Sequence, residues 1–159
     1  MAEACVFCKI VAGEIPCVRV YEDADVLAFM DIGPVAKGHT LVIPKAHYDP
    51  ITGIPVEALK LLIVVVQRVA KAQYAGLHAD GINITQANGR TAGQVVPHLH
   101  FHVIPRFESD GLHSNWTARQ YDTPEELQRY ADRIVETMET AQEGRVQGSG
   151  FREEGTHHG

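Results

Sequence analysis

The chain is poor in the features that mark secreted, membrane or nucleic-acid-coating proteins. Only three of its 159 residues are cysteine: Cys5, Cys8 and Cys17. An odd count is a poor basis for a disulfide framework. The opening Met1-Ala2-Glu3-Ala4 is acidic and lacks the basic start and apolar stretch of a secretory leader. Together these predict a reducing, cytoplasmic setting. The longest apolar run is Leu61 to Val66, and a membrane-spanning helix needs about 20 residues. No membrane partner is expected. Basic residues are also scarce, 14 Lys and Arg against 20 Asp and Glu, for a net charge of -6. That excludes a generic nucleic-acid ligand, which requires a basic surface, while leaving room for a local phosphate site.

What is present fits one folded domain. Apolar residues make up 45% of the chain, enough for a core. Cys5 to Ala12 reads as a helical turn stopped by Gly13. Val18–Glu22 and Val26–Ile32 read as strands around the turn Asp23-Ala24-Asp25, and Thr40–Ile43 as a third strand. A long helix starts near Pro55, with Leu59, Leu62, Ile63, Val66, Ala70 and Tyr74 at helical spacing and Gly76 as its stop. Leu61, Val64 and Val65 make it apolar on more than one side, which predicts burial against a second subunit. Ile82–Gln86 and Val96–Pro105 read as the fourth and fifth strands. Thr123-Pro124-Glu125-Glu126 is a capping box that opens a last helix. The expected fold is α+β, a five-stranded antiparallel sheet with two main helices. The domain is expected over residues 1–143, followed by a flexible tail over 144–159 that carries His157 and His158.

Nine histidines are many for this length, and three of them form His98-Leu99-His100-Phe101-His102. Side chains alternate across a strand, so the three imidazoles share one face, about 6.5–7 Å apart. Leu99, Phe101 and Val103 face the core. Upstream lies a loop with Gly93 and Gln94, where glycine lets backbone N–H groups approach an anion. Such a row can bind a metal, bind phosphate, or supply a nucleophile whose neighbours stabilise charge.

His98 to Ile104 resembles the signature of the histidine triad (HIT) family. Other blocks follow in the family's order: Phe7-Cys8-Lys9-Ile10, Gly13-Glu14-Ile15-Pro16, Tyr21-Glu22-Asp23, Ala28-Phe29-Met30-Asp31-Ile32, Gly38-His39-Thr40-Leu41-Val42-Ile43-Pro44-Lys45 and Ala92-Gly93-Gln94. The resemblance covers residues 5 to 107. It implies a homodimer whose two sheets join. It also implies hydrolysis at the α-phosphate of a purine nucleotide, such as a nucleoside phosphoramidate or a related adenylated substrate. His100 would be the nucleophile and His102 and Gln94 the phosphate contacts, with His98 and His39 supporting the row. Gly93 and Asn88 belong to the same phosphate loop. Asp31 would hold the ribose hydroxyls. Val6, Phe7, Ile10, Phe29 and Ile32 would wall the base. Val95 stands where some members have serine, which leaves the proton donor to the leaving group unassigned.

Cys5-x-x-Cys8 has metal-ligand spacing, and two more ligands are needed. Zinc-bearing members of the superfamily resemble this chain in supplying two N-terminal cysteines, a mid-chain histidine, here His47, and the first histidine of the triad, His98. The implied cofactor is structural zinc. Four other functions compete with this hydrolase. They are a dinucleoside polyphosphate hydrolase on the same residues, a nucleotidyl transferase, which would need an acceptor site, a nucleotide-binding scaffold with little catalysis, and a catalytic metal site on His98, His100 and His102.

Overall fold

A computed structural model describes residues 4–113 and 116–148. Helix α1 (Val6–Val11) precedes strands β1 (Arg19–Glu22), β2 (Val26–Met30) and β3 (Thr40–Pro44). The long helix α2 (Val56–Leu77), β4 (Gly81–Thr85), β5 (Phe101–Arg106) and α3 (Pro124–Gly148) follow. The five strands form one sheet in the order β1-β2-β3-β5-β4, with every neighbouring pair antiparallel. The α+β expectation holds.

The sheet is covered on both faces, which explains why β2 and β3 are buried at every position. Ala28, Met30, Val42, Phe101 and Val103 face α2 and α3 and form the main core. Leu27, Phe29, Leu41 and Ile43 face the other way and meet Cys5, Phe7 and Ile10 from the α1 segment. Leu41 lies opposite Phe29 on one side and His102 on the other, which sets an apolar row beside the histidine.

Four sequence expectations change: the start of the fifth strand, the core stripe of the long helix, its stop, and the start of the tail. The fifth strand begins at Phe101 and not at Val96. Pro97 has no N–H, His98 N bonds back to Val96 O at 2.9 Å, and β3 ends at Pro44, so little remains to pair with. The alternation survives the missing ladder: Leu99, Phe101 and Val103 join the main core, and the histidines lie opposite.

Helix α2 buries Leu62, Val65, Val66, Val69, Ala72 and Gln73, whereas Leu61, Ile63, Val64 and Tyr74 are exposed. Its core stripe is thus rotated from the one expected. Gly76 does not stop it, because the helix runs to Leu77 and closes on His78 at φ 55°. The glycine serves packing instead: a Cβ there would collide with Thr137 Oγ1 and lie 2.8 Å from Arg133 O on α3.

Helix α3 starts as expected, Glu126 N donating to Thr123 Oγ1 at 3.1 Å. It then passes through Gly144, where the tail was placed, and reaches Gly148. One interior glycine costs about 1 kcal/mol, which an established helix absorbs. Residues 149–159, with His157 and His158, lie outside the described residues, as does Met1–Glu3. Among the described residues no helix is long and apolar enough to cross a membrane.

Candidate active site and metal centre

The α1 face of the sheet holds a cavity of about 390 Å³. Val6, Phe7, Ile10, Phe29 and Ile32, the expected base walls, all line it, as do Asp31, Gly93, His100 and His102. Ile15, Pro16, Cys17, Met30, Leu41, Val95 and Val96 also line it and were not anticipated. Leu41 could have been found only from the strand register. Ile15-Pro16-Cys17 is an extended run with no periodicity to mark it. A larger groove of about 940 Å³ lies between α2 and α3, lined by residues such as Val64, Arg68 and Met138. It contains none of the histidines.

Hydrogen-bond partners fix the state of each imidazole. His100 is 6% exposed, and its Nδ1 lies 2.7 Å from His98 O. A carbonyl only accepts, so Nδ1 carries the proton and Nε2 keeps its lone pair. Nε2 has no hydrogen-bond partner among the described residues. The Phe7 and His100 ring centres lie 5.1 Å apart at 87°, an edge-to-face contact that limits rotation of the imidazole.

Val35 N donates to His39 Nδ1 at 3.1 Å, so the His39 proton is on Nε2. That proton is donated to His102 Nδ1 at 2.9 Å. His102 therefore presents Nε2–H. Burial, reinforced by His39 and His100, lowers its pKa to about 4 and keeps it neutral at pH 7. Burial also lowers His39, against the opposing pull of Asp31. Asp31 Oδ2 is 3.6 Å from His39 Nε2, and Oδ1 accepts from Gly33 N at 2.8 Å. Asp31, His39 and His102 lie close enough for a metal. The Nε2 proton of His39 faces that space, so the trio is a hydrogen-bond relay and not a cation site.

Gln94 and Asn88 do not reach the cavity. Gln94 Oε1 accepts from Gly89 N at 2.6 Å, and Nε2 donates to Asp49 Oδ1 at 2.8 Å and Val96 O at 3.0 Å. Asn88 Oδ1 accepts from Ile51 N at 2.8 Å and from Gln86 Nε2 at 2.9 Å. Both side chains shape the loop, where the sequence suggested ligand contact. Gly89 and Gly93 stand at φ 84° and 90°, which side chains other than glycine rarely adopt. Val95 N and Val96 N have no partner among the described residues, and both residues line the cavity. The loop N–H groups that the sequence offers to an anion are, at the cavity, those of these two residues.

Cys5, Cys8, His47 and His98 converge, each offering one ligand atom within 4.8 Å of the rest. Cys5 caps α1, accepting from Cys8 N at 3.4 Å. His98 is fully buried, and its Nε2 donates to Pro44 O at 2.8 Å, which leaves the Nδ1 lone pair for a metal. His98 Nδ1 lies 3.5 Å from Cys5 Sγ, 3.6 Å from Cys8 Sγ and 3.2 Å from His47 Nδ1, and Cys8 Sγ is 3.3 Å from His47 Nδ1. Ligand atoms around tetrahedral zinc lie about 3.3–3.8 Å apart for ordinary Zn–N and Zn–S lengths. The residues fit that ion. Burial, then the hydrogen bond and charge of Cys5, push the Cys8 thiol up to about 11. The protein alone does not favour a thiolate there, and a cation bound in the cluster would supply that stabilisation. His98, His100 and His102 do not themselves form a metal cluster among the described residues.

The HIT domain family model matches residues 12–109. The Bacillus subtilis protein named Protein hit is 43% identical over 139 residues, covering 86% of this chain and 96% of that one. Adenosine 5'-monophosphoramidase hnt1 of Schizosaccharomyces pombe is 42% identical over 132 residues, covering 82% of this chain and 96% of that one. Among solved structures, a zinc-bound histidine triad family protein from Mycobacterium smegmatis superposes with a TM-score of 0.80. It is 36% identical and covers 91% of this chain and 99% of that one.

Proposed function

The chain belongs to the HIT family, and we propose that it is a nucleotide hydrolase acting at the α-phosphate of nucleoside phosphoramidates or related adenylated substrates. One observation carries the reading. The Nδ1–H to His98 O bond of His100 leaves a lone pair on Nε2 beside an apolar cavity with a carboxylate at one side and a glycine loop at the other. A fungal relative at 42% identity is named a phosphoramidase, which supports the substrate class.

His100 Nε2 attacks the α-phosphorus. The N–P bond forms as the bond from phosphorus to the leaving amine or oxygen breaks, and the leaving group departs with a proton. The nucleotidyl-imidazolium that results holds its charge through Nδ1–H on His98 O. Water then attacks phosphorus, returns the electron pair to Nε2, and releases a nucleoside monophosphate and a proton. His102 Nε2–H and the Val95 and Val96 N–H groups donate to the phosphoryl oxygens. Asp31 accepts from the ribose hydroxyls. Cys5, Cys8, His47 and His98 would hold zinc, which supplies only a rigid junction between the N-terminal turn and the catalytic segment.

The same reading makes the protein a cytoplasmic homodimer. The exposed Leu61, Ile63, Val64 and Tyr74 of α2 and Ile84 on the edge strand β4 support it. Its mass in solution by light scattering checks that state. The function is tested by nucleoside monophosphate release from adenosine 5′-phosphoramidate and from a diadenosine polyphosphate. We expect faster release from the phosphoramidate and none with His100→Ala. Nucleotide binding without turnover would leave a scaffold role, and turnover surviving in His100→Ala would move the nucleophile elsewhere.

A further inference from the structure

Gln94 sits between cavity-lining residues yet faces away from the cavity, and its amide is fully used. Two of its partners, Gly89 and Val96, are the ends of the phosphate loop. The third, Asp49, belongs to the segment after β3. That segment meets the rest of the site at almost every step. His47 enters the Cys/His cluster, Tyr48 O accepts from Leu99 N at 2.7 Å, and Ile51 N donates to Asn88 Oδ1.

We infer that Asp49 is a positioning residue for the phosphate loop, acting through Gln94. A carboxamide can be turned end for end at little cost in shape. Turned, Gln94 would set its Nε2 hydrogens against Gly89 N–H and its oxygen against Val96 O. A carboxylate only accepts, so Asp49 adds a charged acceptor to the preference that Gly89 N–H and Val96 O impose, and strengthens the hold on the Nε2 end. With the amide fixed, Gly89 and Val96 are drawn onto one side chain, and the intervening N–H groups of Val95 and Val96 keep their aim. Segment 47–51 thereby ties the loop to the Cys/His cluster. The inference rests on reading the cavity as a nucleotide site.

The test compares Asp49→Ala, Asp49→Asn, Gln94→Ala and the double variant Asp49→Ala/Gln94→Ala in the full chain loaded with zinc. Metal content, kcat and KM for adenosine 5′-phosphoramidate, and hydrogen exchange of the Gly89 amide are measured. Asp49→Ala should keep its zinc, lose about ten- to a hundredfold in kcat with little change in KM, and exchange Gly89 faster. Asparagine retains an acceptor oxygen, so Asp49→Asn should restore most of the rate. Asp49→Ala should add nothing in the Gln94→Ala background.

Wild-type kcat and Gly89 exchange in Asp49→Ala would overturn the inference, whatever its melting temperature. So would additive losses in the double variant, an Asp49→Asn protein as slow as the alanine variant, or zinc lost from Asp49→Ala. If the wild type turns over no nucleotide, the hydrolase reading fails separately. Gly89 exchange then decides alone: unchanged in Asp49→Ala it overturns the Asp49–Gln94 link, and faster it upholds it.

Discussion

The two faces of the sheet are built by different rules. The face under α2 and α3 is apolar, with Thr40 and Gln73 as buried polar groups: Thr40 Oγ1 donates to Gly38 O at 2.9 Å, and Gln73 Nε2 donates to Gly38 O at 3.0 Å and Val103 O at 2.9 Å. The face under α1 has a smaller apolar cluster and carries His39, His98, His100 and the cavity. Burial on the first face supplies stability. Burial on the second supplies chemistry, because fixed hydrogen-bond partners there assign the His39, His98, His100 and His102 protons to particular ring nitrogens. The helical face should therefore respond to volume changes, and the other to changes of a single donor or acceptor.

The sharpest break in that contrast is His100→Ala. It should lower kcat by at least about a thousandfold while the melting temperature moves little, as paired activity and thermal-melt measurements would show. Removing zinc with a chelator, or replacing Cys8 by Ser, should lower stability by several kcal/mol, since the cluster joins α1 to the segment before β5. Metal analysis beside denaturant titration checks this, and a Cys8→Ser protein as stable as the wild type would count against a structural ion.

On the other face, Leu62→Ala should cost about 2–5 kcal/mol and leave kcat per folded molecule at the wild-type level. A rate that fell with Leu62 would erase the division between the faces. A subtler test uses pH. Burial, reinforced by His39 and His100, pushes His102 down to about 4 in the folded chain, against the ordinary imidazole value of 6.5 in the unfolded one. Between those values the unfolded chain holds the extra proton, so stability rises with pH across that window and is lost as pH falls through it. His39 is shifted the same way and adds to the slope. Melting temperatures from pH 7 to 4 should show a shallower decline in His102→Gln than in the wild type.

Much of this was legible in the sequence, for reasons that also mark the limit. The alternation at His98, His100 and His102 survived even where the ladder stopped, because alternation follows from local extended backbone. The cap at Thr123 is likewise local and appears as expected. The core stripe of α2 was misjudged, since Leu61, Ile63 and Val64 are as apolar as Leu62 and Val65. Composition cannot orient a helix that is apolar on more than one side. The resemblance implies a phosphate contact for Gln94 and sets Asn88 in the same loop. Their partners, Gly89, Asp49 and Ile51, come together only through tertiary packing, and no spacing in the chain announces them.

The Cys5 contact with His98 spans 93 residues. Closing so long a loop is slow compared with forming α2 or α3 from neighbouring residues. During synthesis, the cluster cannot form until the segment leading into β5 has left the ribosome. Until then the N-terminal turn can pack Phe7 and Ile10 on β2 and β3 but lacks the His98 partner of its cysteines. A zinc ion would close that junction as a latch, and the cavity, whose wall is that same turn, would be complete only once it had closed.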